Sequence, residues 1–298
     1  MMNKPNYMFI GPPKCATTSL YDILKEHPEI GVSKFKEPHF YDYDNNFTKG
    51  FEWYLNEFFI NIQKKCIGEF TPTYFITNKV PKRIYDNFGS HMKFILILRN
   101  PVDRAYSHFL HSKRDLVESL SFEQALNSED LRLKNALSAK NDYDYTRYSY
   151  VNGGMYFKHL KNFLKYFNLD QFHIILFEDD FMKNKEATMI NLFDFLGVKE
   201  YRLNLDIRSN QSSETKYHFI KKILNSDNLF KKILKNVFSS RIRNQIRNQL
   251  QFVSNKVVEK KQLDESFKKR IFKKFFYEDT IELEKLIKRD LSDWYKFY

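Results

Sequence analysis

A lysine and three hydroxyl residues follow the first apolar run of the chain, in the sequence GPPKCATTS at positions 11–19. The apolar run 7–10 predicts a strand that stops at Gly11, and residues 16–26 predict a helix. Backbone N–H groups at a helix start, joined by a lysine and hydroxyls, form a cradle suited to phosphate or sulfate. The residues expected to line this cradle are Lys14, Cys15, Ala16, Thr17, Thr18 and Ser19.

The spacing within this loop separates it from the phosphate loop of ordinary nucleoside triphosphatases. That loop has the pattern G-x-x-x-x-G-K-[ST], with its lysine directly after a glycine. Here Lys14 precedes the predicted helix and no Gly-Lys pair is present. The sequence therefore disfavours a nucleoside triphosphatase, although a capped helix with a chance lysine remains an alternative for the loop taken alone.

A second set of candidate anion ligands follows the buried run Lys93–Leu98, in the sequence RNPVDRAYSH at positions 99–108. Pro101 suits the first turn of a helix, and Arg99 comes at the carboxyl end of a strand, where ligands of parallel sheets bind. A guanidinium offers forked, charge-assisted hydrogen bonds and a hydroxyl adds one more. We expect Arg99 and Ser107 to hold a second phosphate.

A carboxylate that could act as a base lies in the sequence KEPHFY at positions 36–41. An acceptor hydroxyl must lose its proton as it attacks, and a positioned carboxylate such as that of Glu37 can take it. His39 is expected to share or tune that role. For a single glutamate beside lysines, the alternative is a surface ion pair.

The elements that must position these residues alternate between strands and helices. Further strands are predicted at Cys66–Phe70, Lys93–Leu98 and 172–177, and helices at Val80–Phe88 and 155–167. Alternation of this kind predicts βαβ units, a parallel sheet and an α/β fold. From about residue 215 the pattern is mainly helical, and we expect residues 1–298 to form one domain.

Charge and cysteine content limit the partners of the protein. Residues 216–274 contain 17 Lys or Arg and four acidic residues, a balance of 17 − 4 = +13 in a chain of net charge +12. Such a segment predicts contact with a polyanion or a membrane surface, or else a solvated helical face; nucleic acid is not expected.

Cys15 and Cys66 form neither a disulfide framework nor a metal-ligand spacing, so no metal is expected. The absence of an N-terminal apolar segment predicts a cytoplasmic protein.

Taken in order, the motifs resemble the sulfotransferases that use 3'-phosphoadenosine 5'-phosphosulfate (PAPS). The resemblance is closest to their bacterial and glycan-modifying branch, which is related to the heparan sulfate sulfotransferases. It covers nearly the whole chain. The segments that carry it are FIGPPKCATTSLYDILKEHPEI, KEPHFYDYD, GEFTPTYF, LILRNPVDRAYSHF, GGMYFKHLKNFLKYF, IILFEDDF and EDTIELEKLIKRDLSDW.

This resemblance implies a fold, a reaction and a role for each matching residue. It implies a P-loop-type α/β fold and transfer of a sulfuryl group from PAPS to a hydroxyl or amine, leaving PAP. Lys14 and the loop through Thr18 would bind the 5'-phosphosulfate, and Arg99 and Ser107 the 3'-phosphate. Glu37 would be the base, and Tyr156 would contact the nucleotide. The implied acceptor is a glycan, a glycolipid or a small molecule, and no metal is implied.

Three departures from the family pattern affect these expectations. Ala16 stands where glycine is common, so the backbone there must avoid angles open only to glycine. Phe70 stands where some heparan sulfate enzymes carry a lysine, which argues against copying their acceptor. No R-K-G sequence is present, so residues 207–217, with Arg208 or Lys216, are expected to cover PAPS. A P-loop kinase and a noncatalytic polyanion-binding protein remain the alternative functions.

Overall fold

The computed structural model describes residues 4–202 and 263–296 of the chain. Within them, five parallel strands form one sheet in the order β2-β3-β1-β4-β5. The strands are β1 (Tyr7–Gly11), β2 (Ile30–Val32), β3 (Cys66–Phe70), β4 (Lys93–Leu98) and β5 (Phe172–Leu176). Strand β1 is central, and the crossovers run to either side of it. The carboxyl end of β1 is therefore the switch point where a crevice opens.

Helices cover both faces of this sheet. Among the described residues they are α1 (Thr17–Lys25), α2 (Asp44–Phe47), α3 (Phe51–Phe58), α4 (Val80–Phe88), α5 (Pro101–Arg114), α6 (Phe122–Asn127), α7 (Glu129–Ser138), α8 (Asp142–Arg147), α9 (Tyr156–Phe163), α10 (Lys185–Leu196), α11 (Glu265–Phe275) and α12 (Tyr277–Ile287). A π-helix, Phe177–Lys183, follows β5. In residues 4–202 and 263–296, every helix is too short or too polar to cross a bilayer.

Two hydrophobic cores form because successive strand residues point to opposite faces of the sheet. Met8 and Ile10 of β1 face the core beneath α3, α4, α5, α9 and the C-terminal helices. Tyr7 and Phe9 face a smaller core beneath α1 and α10. All five residues of β1 are buried, which explains why its sequence is a continuous apolar run without alternating polar residues.

The α/β fold with a parallel sheet, predicted from the sequence, is confirmed. Helix α5 begins at Pro101, as its proline predicted, and β1, β3, β4 and β5 lie where apolar runs predicted them. Strand β2 was missed because it has only three residues, too few to show a period. The predicted cover at 207–217 lies outside the described residues, as does most of the basic segment 216–274. The single domain stays a prediction.

The C-terminal helices are attached to α9. The Asp279 carboxylate of α12 accepts hydrogen bonds from the backbone N–H groups of Phe157 and Lys158, at 2.9 and 3.0 Å. These are free N–H groups in the first turn of α9, so the carboxylate acts as a cap supplied by another helix. Trp294 packs edge-on against Tyr156, with ring centroids 6.0 Å apart. The C-terminal segment thereby fixes the start of α9.

The last residue of β1 is a glycine for a steric reason. Gly11 has φ +120°, and an added Cβ atom would lie 1.9 Å from the carbonyl oxygen of Pro72. The segment after β3 thus passes against the end of β1 at a distance that excludes any side chain. This close approach brings the loop after β1 beside the residues that follow β3.

We predict that Gly11→Ala lowers the free energy of unfolding by about 3 kcal/mol or more, because the new methyl group would displace buried backbone. Gly197→Ala is a matched control. Gly197 also has a positive φ, +72°, but its added Cβ would meet no atom within 4 Å. Gly197→Ala should therefore lower the free energy of unfolding only by the strain of a left-handed residue, about 1–2 kcal/mol. Denaturant titration of both variants tests this, and equal losses would contradict the steric account.

Candidate active site

The loop between β1 and α1 leaves the start of the helix open to an anion. Ala16, the N-cap residue of α1, has φ +53° and ψ +23°, and no side chain caps the first turn. That turn also contains no acidic residue. The helix therefore presents backbone N–H groups and the positive end of its dipole to the crevice. Ala16 lies in the left-handed region that a residue with a Cβ atom can adopt, at a cost of about 1–2 kcal/mol.

Contacts from Arg99 and Arg104 hold this loop in place. Arg99 donates from Nη1 to the Lys14 carbonyl at 3.3 Å, and the buried Arg104 donates to the Pro13 carbonyl at 3.4 Å. The Tyr156 hydroxyl donates to the Arg99 carbonyl at 2.8 Å. The loops after β1 and β4 are therefore adjacent, as expected for neighbouring strands of a parallel sheet.

Positive charge converges on the Lys14 ammonium. Burial, with the nearby Arg114, Arg147 and Arg99, lowers the pKa of Lys14 to about 8, although the Asp115 carboxylate opposes the shift. Repulsion among these cations weakens if an anion binds between them. Electrostatics thus favour a negatively charged ligand beside Lys14, next to the open start of α1.

The Lys36 ammonium connects this cradle to the candidate base. It donates to the Thr18 hydroxyl at 2.7 Å and lies 3.3 Å from Oε1 of Glu37. On the other side of Glu37, Nε2 of His39 lies 3.7 Å from Oε2. Nδ1 of His39 lies 2.9 Å from the Asp42 carboxylate. The predicted cradle and the predicted base therefore meet at one place.

The partners of Glu37 fix its protonation state. Burial raises its pKa, but the nearby His39 and Lys36 cations outweigh burial, so the pKa of Glu37 is lowered. Burial also opposes the charge on His39, yet the hydrogen bond with Asp42 and the nearby Glu37 carboxylate raise its pKa to about 10. At neutral pH Glu37 is a carboxylate and His39 an imidazolium. Glu37 can accept a proton, whereas His39 can only donate and orient.

Other predicted site residues occupy the same region in different ways. Cys15 is fully buried and its thiol pKa is raised to about 12, so it offers only its backbone. Ser107 lies on α5 with 4% exposure. Tyr156 is 1% exposed and contacts Arg99 through the hydrogen bond from its hydroxyl to the Arg99 carbonyl. Phe70 packs between the rings of Phe9 and Tyr21, and its side chain belongs to the smaller core.

Sequence reasoning missed two residues of the site, Lys36 and Asp42. The sequence indicates only an ion pair with Glu37 for Lys36. Asp42 is fully buried and accepts a hydrogen bond from the Thr73 hydroxyl as well as pairing with His39. The spacing Glu37-x-His39-x-x-Asp42 was the available signal, since a carboxylate near a histidine often orients the ring.

A second buried carboxyl, that of Glu69, lies near Asp42 and His39. Glu69 of β3 is fully buried, and the Tyr54 hydroxyl donates to its Oε2 at 2.7 Å. Burial raises the pKa of Glu69 to about 7, although the hydrogen bond from Tyr54 and the nearby Tyr74 hydroxyl partly offset the effect. The negative charge of Asp42 adds to the rise. Glu69 is therefore partly protonated at neutral pH.

Comparison with known proteins agrees with this geometry. Residues 4–275 match the family described as "Sulfotransferase domain". The chain belongs to the sulfotransferase family. The family resemblance recognised in the sequence is thereby confirmed. The crystal structure of a sulfotransferase from Alicyclobacillus acidocaldarius shares the fold, with a TM-score of 0.70 at 24% identity, covering 98% of this chain and 99% of that one.

Curated relatives of this sulfotransferase include enzymes named for heparan sulfate. "Heparan sulfate glucosamine 3-O-sulfotransferase 5" of Mus musculus and of Homo sapiens are each 34% identical over 172 residues, 57% of this chain and 47% of theirs. "Bifunctional heparan sulfate N-deacetylase/N-sulfotransferase 1" of Caenorhabditis elegans is 31% identical over 218 residues, 70% of this chain and 24% of that protein. The chain thus spans about half, or less, of the length of these relatives.

We predict that Glu69→Gln changes how stability depends on pH. A carboxyl with a raised pKa stabilises the folded state below its unfolded pKa, and this contribution is lost as pH rises from about 4.5 through about 7. The wild type should therefore lose about 3 kcal/mol relative to Glu69→Gln across that window. Denaturant titrations between pH 4.5 and 8 measure the difference, and parallel profiles would show that Glu69 does not titrate there.

Proposed function

We propose that this sulfotransferase moves a sulfuryl group from PAPS to a hydroxyl or amine of a carbohydrate acceptor, releasing PAP. The observation that carries the proposal is the link from the anion cradle to the candidate base. Thr18, at the start of α1, is joined through Lys36 to the Glu37 carboxylate by contacts of 2.7 and 3.3 Å. An anionic donor and a base that deprotonates the acceptor must lie side by side for direct transfer.

The chain's own residues suit the two ends of PAPS. The 5'-phosphosulfate would lie against Lys14 and the N–H groups and hydroxyls of the cradle, contributed by Cys15, Ala16, Thr17, Thr18 and Ser19. Arg99 and Ser107 would hold the 3'-phosphate. Tyr156 would act through Arg99, because the Tyr156 hydroxyl donates a hydrogen bond to the Arg99 carbonyl. PAPS is a polyanion, which matches the convergence of Lys14 and three arginines.

The proposed reaction is an in-line displacement at sulfur. The Glu37 carboxylate takes the acceptor proton as the acceptor oxygen or nitrogen forms its bond to sulfur. The bond between sulfur and the bridging phosphate oxygen breaks, and that oxygen leaves with its electron pair as part of PAP. Lys14 stabilises the charge that develops there. His39, held by Asp42, keeps the Glu37 carboxylate oriented and ionised.

A carbohydrate acceptor is supported by the names of the curated relatives, which act on heparan sulfate. Glycolipids and small molecules are the competing acceptors. The buried position of Phe70 keeps its side chain out of any contact with the acceptor. A polyanion or membrane contact through residues 216–274, a cytoplasmic location and the expected lack of a metal all stay predictions.

Mass spectrometry of a reaction with labelled PAPS and a panel of glycans, glycolipids and small molecules tests the proposal. Transfer of label to a glycan is the expected result. Thermal-shift titration separates the kinase alternative, because a sulfotransferase should be stabilised by PAP without Mg²⁺, and a kinase by ATP with Mg²⁺. Polyanion binding without PAPS turnover would support the noncatalytic alternative.

We predict that Lys14→Ala lowers turnover about 100-fold or more, because the leaving phosphate loses a preorganised positive charge. Arg99→Ala is the comparison variant. It should weaken PAP affinity more than it slows turnover at saturating PAPS, since the proposed Arg99 contact is with the nucleotide. Steady-state kinetics and calorimetry with PAP separate the two. Lys14→Ala with turnover within a few-fold of wild type would remove Lys14 from the mechanism.

We predict that Glu37→Gln keeps nearly normal PAP affinity but loses about 100-fold or more in turnover, the usual contribution of a positioned proton acceptor. The amide keeps the size of the side chain and cannot accept the proton. If Glu37 were only a partner of Lys36, its loss would cost at most about 1 kcal/mol in stability and leave the rate unchanged. The kinetic measurement must use the best acceptor found, so that chemistry limits the rate.

A further inference from the structure

The turn that carries Glu37 and His39 has an unfavourable backbone. Glu37 has φ +59° and His39 has φ +49°, so two non-glycine residues within three positions are left-handed. Each such residue is strained and persists only where surrounding contacts hold it. The turn is therefore not self-supporting, and the contacts that hold it determine where the Glu37 carboxylate points.

One tyrosine binds both backbone N–H groups at the far end of this turn, while Asn46 and Arg83 donate to carbonyls of residues 38, 39 and 41. The Tyr74 hydroxyl oxygen accepts hydrogen bonds from the backbone N–H of Phe40, at 3.0 Å, and from that of Tyr41, at 3.2 Å. At the near end, the Glu37 N–H donates to the Phe70 carbonyl at 3.0 Å. Tyr74 is fully buried, so no water can replace its hydroxyl.

Two buried carboxyl oxygens without a hydrogen-bond partner among the described residues, Oε1 of Glu69 and Oδ1 of Asp42, belong to carboxyls that interact with the Tyr74 hydroxyl. A hydroxyl donates once, and here its oxygen already accepts two N–H groups. The interaction of Tyr74 with the Glu69 carboxyl is the stronger of the two, so Glu69 is the favoured acceptor of the Tyr74 proton. The Oε2 atom of Glu69 is occupied by Tyr54. The Tyr74 proton therefore turns toward Glu69, which leaves the oxygen lone pairs facing the turn.

We propose that Tyr74 and Glu69 are positioning residues for the reaction: Glu69 orients the Tyr74 hydroxyl, and that hydroxyl holds the strained turn that aims the Glu37 carboxylate. This role rests on the proposed function only through Glu37. Tyr54 shares the carboxyl of Glu69 but makes no hydrogen bond to the turn. Its ring instead packs on Phe40, with centroids 4.5 Å apart.

Tyr74→Phe removes the hydroxyl and leaves two buried N–H groups without an acceptor. Turnover should fall about 10- to 100-fold, the effect of displacing a catalytic group by about 1 Å. PAP affinity should stay within a few-fold of wild type, because the nucleotide contacts lie on the other loops. Tyr54→Phe is the matched control: it also removes one buried hydroxyl bonded to Glu69, and its turnover should stay within about twofold of wild type.

Glu69 supplies a second, independent pair of variants in case Tyr74→Phe does not fold. Glu69→Gln keeps an oxygen that can accept the Tyr74 proton, so it should retain most of the turnover. Glu69→Leu removes both acceptors and should lose turnover as Tyr74→Phe does. Rescue by the amide distinguishes hydrogen-bond orientation from a simple need for charge or volume at this position.

Hydrogen exchange provides a readout that does not depend on activity. In Tyr74→Phe the amides of Phe40 and Tyr41 should exchange at least about tenfold faster than in the wild type and in Tyr54→Phe. Faster exchange with lost turnover supports the proposal. Unchanged exchange, or equal turnover losses in Tyr74→Phe and Tyr54→Phe that follow their melting temperatures, overturns it. If the wild type fails to turn over PAPS, the proposed function fails, while the exchange result still decides whether Tyr74 holds the turn.

Discussion

The structure depends on one constraint at the carboxyl end of β1, where the chain must turn into α1 while leaving the first N–H groups of the helix open. A side-chain cap would fill that position, and Ala16 supplies none. The backbone therefore adopts positive φ angles at Lys14 and Ala16. Strain of this kind lasts only in a rigid setting. The hydrogen bonds from Arg99 and Arg104 to the loop carbonyls provide that setting.

Buried carboxylates provide the same kind of support around the site. Glu129 accepts from the N–H groups of residues 151 and 152, Asp279 from those of the first turn of α9, and Glu178 from that of Asn100. Each fixes a turn that borders the loops after β1 and β4. Burial raises the pKa of Glu129 to about 7 and that of Asp279 to about 6, because burial disfavours the charged form of each carboxyl. Glu69 differs because it binds hydroxyl groups.

The two sides of the cleft have opposite electrostatic character. Burial and the surrounding arginines lower the pKa of Lys14, and the same cluster of cations favours an anion. On the other side His39 lies between two carboxylates, and its positive charge keeps Glu37 ionised. Lys36 stands between the two sides and contacts both. The proposed reaction would therefore place its anionic donor against the cations around Lys14 and its acceptor beside Glu37, with Lys36 between them.

The sequence by itself determined the strand-loop-helix order, the parallel sheet, the family, and the identity of Lys14, Arg99 and Glu37 as site candidates. These predictions follow from local pattern, because apolar runs, turn residues and motif spacing can be read from neighbouring residues in the sequence. Tertiary structure decided what lies far apart in sequence: the Lys36 contact with Thr18, the burial of Phe70 in the smaller core, and the hydrogen bonds from the turn at 37–41 to Tyr74. Such contacts depend on the strand register and on the crossovers that set strands side by side. The local periodicity of the sequence therefore does not predict them. The same holds for protonation, since burial opposes the charge on His39 and its pKa is raised to about 10 only because the folded turn brings the Asp42 and Glu37 carboxylates beside the ring.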